Sequence, residues 1–223
     1  WNVDAFRQLR LAHPEASFRL YLHTHPQPPD GMNLPELLER FGLRHPQDAF
    51  FAETYNYLLG FSPEYMAHAY RATNVLLHAS MGEGFGLAGI EAQACGTPIV
   101  TVKWSAQPEL TWIGHSTEPA EYEYDAQASW LAVPSTRNIL AALEDLYERR
   151  EEDFAEGTKR AAHYSVEAVR DRYWKPLLDS MEERIAAEKA TPGAFVDRRE
   201  DRLPQAPVPL HVVEIPDRSR ETT

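Results

Sequence analysis

Apolar residues recur along this chain at two periods, one near 3.6 and one near 2. Val3, Phe6, Leu9 and Leu11 keep helical spacing and Pro14 closes the element, so a helix is expected over 3–12. In SFRLYLHT (17–24), Phe18, Leu20 and Leu22 alternate onto one face, which predicts a strand. A turn-rich stretch, HPQPPDGMN, follows. Asn33 and Glu36 then resemble a capping box, with Pro35 in the first turn and Gly42 past the last, around the helix LPELLERF. AFFAETY (49–55) reads as a second strand, Ser62-Pro63 opens a helix PEYMAHAYRA, and NVLLHAS (74–80) reads as a third strand. A helix from Leu87 to Cys95 and, after Gly96, a strand in TPIVTV (97–102) complete the run. Short strands alternating with helices predict an α/β fold, a parallel sheet with helices on both faces.

Beyond residue 103 the pattern loosens. QPEL suggests one helical turn, and EPAEYEYDAQASW is acidic and loop-like. Ser135 caps a helix expected to reach about Arg150, and mixed-charge helical pattern, typical of a solvated face, covers 151–189. Residues 190–223 hold five of the 17 prolines and lack helical periodicity. They are expected to be an extended or disordered tail, in which VPLHVVEI (208–215) is a candidate extended segment. The chain shows no internal repeat. It is expected to divide into one domain over 1–189 and this tail.

Composition narrows the function. With 43% hydrophobic residues the chain can bury a core, and 22 Lys plus Arg against 34 Asp plus Glu give a net charge of −12. That sign argues against a nucleic-acid partner and against an anionic membrane surface. An anion is expected only where backbone N–H groups or a few basic residues outweigh the field locally. The single cysteine, Cys95, rules out an intramolecular disulfide and a cysteine zinc cage. No run approaches the roughly 20 apolar residues of a bilayer span, and no signal peptide is evident, so a cytoplasmic location is expected. The chain opens on Trp1, already in helical pattern, which suggests further residues upstream.

The richest chemistry lies in MGEGFGLAGIEAQACGTPIV (81–100), where a turn joins the third strand to a helix. In parallel sheets ligands sit beyond the carboxyl ends of the strands, and this turn lies at one of them. Gly84 and Gly86 let a ligand approach the backbone closely. The helix behind them leaves its first N–H groups free, with a partial positive charge suited to phosphate. Glu83 and Glu91 flank that site. Carboxylates repel phosphate but bind neutral hydroxyls strongly, so they suit a ligand with hydroxyls on both sides of a pyrophosphate, as in a nucleotide sugar. The plainer alternative makes Glu83 a loop charge and Glu91 an exposed helix residue.

HASMGEGFGLAGIEAQACGTPIV resembles the donor-binding segment of the retaining glycosyltransferases of family 4. The family pattern is a serine, then E-G-F-G-L, then E-A-x-A-C-G-x-P-[IV]-V. YRATNVLLHAS, WSAQPEL and VPSTRNILAALEDLYE agree with its flanks, so the resemblance runs from residue 1 to about 185. It implies the carboxyl-terminal, donor-binding half of a two-Rossmann-domain (type B) enzyme, without its first strand and its amino-terminal acceptor domain. It implies that Glu83 holds the transferred sugar and counts as the catalytic residue. Backbone groups of Gly84, Phe85, Gly86 and Leu87 would contact sugar and diphosphate, and Glu91 would hold the ribose. It further implies a nucleotide-diphosphate sugar as donor, retention of configuration, no metal and no cofactor. The family's Arg and Lys, which neutralise the leaving diphosphate, would precede the helix that opens at Trp1 and are not found there. Without them donor binding by this chain is expected to be weak and turnover negligible, since charge-assisted contacts contribute roughly 1.5–3 kcal/mol each.

Other residues carry weaker signals. His23 and His25 in HTH suggest a metal pair without a third ligand, and a cleft or surface role fits better. Cys95 reads as a packed core thiol. Trp104 and Trp112 read as core or cleft lining, and Lys103 as a surface lysine or an anion contact. A non-catalytic donor-binding module in a larger assembly, and an epimerase or phosphorylase of the same architecture, are competing functions. Phosphorylase chemistry would bring a cofactor lysine, and none is marked.

Overall fold

The computed structural model describes residues 1–190 apart from Asp30 and Gln127, so all of the expected tail but its first residue lies outside the described residues. Residues 1–170 form one compact unit and a second begins at Asp171.

In the first unit, helix α1 (Asn2–Ala12) is followed by strand β1 (Leu20–Leu22), helix α2 (Leu34–Arg40) and strand β2 (Ala49–Phe51). Asn33 caps α2 by accepting from the Glu36 N–H at 3.3 Å. The Glu36 side chain does not reach back to complete a capping box; it pairs with Arg40 at 2.7 Å. The second expected strand stops at Phe51, because Glu53 accepts from the N–H groups of Tyr55 and Asn56 and starts a helix, α3 (Thr54–Leu59). Next come α4 (Pro63–Arg71), β3 (Leu76–Leu77), α5 (Leu87–Ala94), β4 (Ile99–Val102) and β5 (Gly114–Thr117). β5, not anticipated from its polar sequence, begins at Gly114, where an added Cβ would lie 2.0 Å from the Ile99 carbonyl oxygen.

β1 and β2 pair in parallel, as do β3, β4 and β5 in that order. The parallel strands thus form two sheets, and no ladder joins β1 to β3 among the described residues. Helix α1 bridges them instead, with residues in each of two core clusters. Ala5 and Leu9 of α1 pack with Val100, Val102 and Ile139, while Phe6 of the same helix packs with Leu38, Leu43 and Ala49. β4 is buried on both faces, as a central parallel strand requires. Val100 and Val102 face the cluster of α1 and α6 (Thr136–Glu148), and the Ile99 side chain reaches to 3.4 Å from where a Gly89 Cβ would sit on α5.

The acidic stretch expected to be a loop is instead an antiparallel hairpin, β6 (Glu121–Tyr124) with β7 (Trp130–Val133). Its outer face is solvated, and its turn places Ala128 at φ 58 where a glycine would have signalled a turn. Tyr122 anchors it against Trp104 at 4.9 Å. Ser135 caps α6 through the Asn138 N–H at 3.3 Å, and α7 (Ala155–Ala161) and α8 (Val166–Val169) follow. In the second unit Lys175–Ala190 is a helix, α9, with Lys175 paired to Asp179 at 3.0 Å.

Candidate functional site

Beyond β3 the chain runs through His78 and Ser80 into the glycine turn. The Ser80 hydroxyl donates to Glu83 Oε1 at 3.0 Å and accepts from the side-chain amide of Gln107. Gln107 in turn accepts from the Val102 N–H at 2.6 Å, so the relay is anchored on the end of β4. The Glu83 N–H donates to Ser105 Oγ at 2.9 Å. Glu83 is thereby held from two strand ends with its side chain 30% exposed, enough to meet a ligand.

His78 lies under this turn. Its Nε2 is 3.7 Å from Glu83 Oε1 and has no hydrogen-bond partner among the described residues. Burial pushes its pKa down, and the Glu83 charge opposes that shift in part. Gly86 caps α5 in the left-handed region at φ 79, and a Cβ there would lie 3.2 Å from His78 Nε2. Both facts favour glycine.

Nothing lies within 4 Å of a Cβ placed on Gly84, so the turn is open above that residue. Phe85 and Leu87 are largely exposed, with Phe85 edge-on to Tyr164 at 5.8 Å. The hollow beneath the turn, lined by His78, Gly86, Gly89 and Gln107, measures about 10 Å³. That barely admits one water, so a ligand would lie on the outer face, over Gly84. A roomier cavity of about 920 Å³ opens beside β2, lined by Leu38, Leu43, Phe51 and Glu53, and none of the turn residues line it.

Glu91 sits on the exposed face of α5, one turn past Leu87, about 6 Å along the axis. It accepts from the Tyr70 hydroxyl at 3.0 Å. Glu83 and the segment Gly84–Leu87 therefore form one continuous surface around the α5 N-terminus, with Glu91 behind them on the same helix. The supporting residues His78, Ser80, Ser105, Gln107 and Tyr70 were not singled out in the sequence, although all lie within the flanking segments that carry the family resemblance.

The remaining candidates have ordinary partners. His23 Nδ1 meets the Tyr21 hydroxyl at 2.9 Å, and His25 Nδ1 accepts from the Gln27 N–H at 3.1 Å. Among the described residues no group of three or more His, Cys, Asp or Glu is placed to hold a metal. Cys95 is half-buried rather than a core thiol. Lys103 pairs with Glu118 at 2.6 Å. Trp104 donates to the Trp130 carbonyl, and Trp112 stacks on Tyr164 at 5.5 Å. No helix among the described residues is long and apolar enough to cross a membrane.

Residues 49–152, which contain the whole turn and its supports, match the family model for glycosyl transferases group 1. A D-inositol 3-phosphate glycosyltransferase of Streptomyces bingchenggensis is 43% identical over 63 residues, 26% of this chain and 14% of the relative. A protein of the same name from Geodermatophilus obscurus is 28% identical over 203 residues, 87% of this chain and 40% of the relative. The chain thus spans less than half the length of either relative. Among solved structures, sucrose-phosphate synthase from Thermosynechococcus elongatus superposes with a TM-score of 0.51 at 23% identity, over 82% of this chain and 42% of the other. That likeness concerns the fold, and it agrees with the α/β architecture of parallel strands and helices.

Proposed function

We propose that this chain is a group 1 glycosyl transferase, the carboxyl-terminal, donor-binding half of an enzyme that transfers a hexosyl group from a nucleotide-diphosphate sugar, with retention of configuration and without a metal. The observation that carries the reading is the Glu83 carboxylate, fixed by Ser80 and partly open to solvent beside the uncovered Gly84. A carboxylate so placed accepts sugar hydroxyls. The α5 N-terminus beside it offers backbone N–H groups to the diphosphate, and Glu91 accepts from the ribose. Glu83 is the catalytic residue in this reading. It positions the sugar so that the acceptor attacks from the face the diphosphate leaves, and the acceptor contacts come from a second domain.

Binding of free nucleoside diphosphates and their sugar derivatives, followed by titration calorimetry, tests the assignment. Glu83→Ala should weaken the sugar nucleotide by about tenfold to hundredfold, the range of a lost hydrogen bond to a charged group, and leave the free diphosphate unchanged. Glu91→Ala should weaken both. A wild-type chain that binds no sugar nucleotide, or an effect of Glu83→Ala equal on both ligands, would overturn the reading.

A further inference from the structure

We propose that Tyr70 is a positioning residue that holds the Glu91 carboxylate in the orientation that receives the ribose hydroxyls. This rests on the reading of Glu91 given above and adds a residue and a mechanism to it. Glu91 projects from the exposed face of α5, where a free glutamate side chain rotates about three bonds. Here one contact fixes it. The Tyr70 hydroxyl, from the last turn of α4, donates to Glu91 Oε2 at 3.0 Å.

Tyr70 is itself clamped. Thr97, almost fully buried in the turn between α5 and β4, donates its hydroxyl to the Tyr70 carbonyl at 2.7 Å. α4 is therefore tied at two points, buried to the turn after α5 and, at the ligand face, to α5 itself. The phenol stays a neutral donor: burial, and next the Glu91 charge, push its pKa far above the usual tyrosine value. A carboxylate has about four acceptor positions, and Tyr70 takes one on Oε2. Oε1 stays open to a vicinal pair of hydroxyls, the group a ribose presents and a dideoxyribose lacks. The ordering of the glutamate is complete before the ligand arrives, so the ligand does not bear it.

Tyr70→Phe removes the hydroxyl and keeps the ring. The probes are UDP, GDP and ADP, each against its 2′,3′-dideoxy form, titrated into the full 223-residue chain. Wild type should favour the ribonucleotide, and Glu91→Ala should abolish that preference. In Tyr70→Phe the ribonucleotide should bind about threefold to tenfold more weakly, the share of glutamate rotamer entropy now unmet, with the dideoxy form unchanged. A merely structural role would weaken both forms alike and would overturn the proposal. So would full ribose preference, or tighter binding, in Tyr70→Phe. Loss of all discrimination in wild type, or no binding of any diphosphate, refutes the role of Glu91 itself and the proposal with it.

Discussion

Gln93 ties the site-bearing helix to the rest of the fold, and replacing it tests how that helix is held. It is fully buried on α5. Its amide donates to the Gly89 carbonyl at 2.9 Å and the Leu110 carbonyl at 2.7 Å. Its oxygen accepts from the N–H groups of Trp112 at 2.7 Å and Ile113 at 3.0 Å. Gln93→Leu keeps the size and removes every partner. The Gly89 carbonyl retains its place in the helix ladder, and the half-buried Trp112 N–H can turn to water. The Leu110 carbonyl and the Ile113 N–H have no such outlet. Two orphaned buried groups at about 1–3 kcal/mol each give a loss of about 2–6 kcal/mol. For a unit of this size that lowers the melting temperature by roughly 2–4 °C per kcal/mol. Urea unfolding followed by tryptophan fluorescence reads the change directly. A loss below about 1 kcal/mol would show that water or a shifted backbone satisfies those groups, and that Gln93 is not the tie.

Two further outcomes concern charge. Arg44, and with it Arg10, holds the Asp48 carboxyl below the usual carboxylate range against the cost of its burial. Its contribution is thus present above the unfolded pKa and fades as pH falls through the folded one, so Asp48→Asn should lower stability at pH 7 and flatten the acid limb of a stability–pH curve. An unchanged acid limb would refute that role. His78 has the opposite origin: burial lowers its pKa, so the unfolded chain takes up its proton first and stability falls as pH drops below the unfolded histidine value. His78→Gln should reduce that slope in a pH series of melting temperatures, and an identical slope would show that other groups set it.

Apart from α3, the helices and parallel strands up to β4 were legible from the periodicity of their apolar residues. β5 and β6 were not, because GHST and EYEY are polar and owe their pairing to neighbours: the Gly114 backbone laid against Ile99, and Tyr122 against Trp104. α3 was hidden by a glutamate cap, a residue type seldom found in that role. A single sheet was expected from the rhythm of elements, whereas ladder formation depends on which backbone edges meet, and periodicity carries no such information. Within the site, the glycine spacing marked the turn and the two carboxylates around it.

What spacing could not show is how each carboxylate is aimed. Ser80, three residues before Glu83, is local enough for a motif to contain it. Gln107, 27 residues from Ser80, and Tyr70, 21 residues from Glu91, reach the site only through tertiary packing. The two glutamates are therefore supported differently. Glu83 is braced by a relay anchored on the backbone of β4, whereas Glu91 rests on one phenol at the end of a helix. A ligand contact through Glu83 should accordingly be insensitive to changes in α4, while one through Glu91 should follow them. The turn thus has one end braced on a strand, at Glu83, and one braced on a neighbouring helix, at Glu91, a division that neither glutamate's place in the motif discloses.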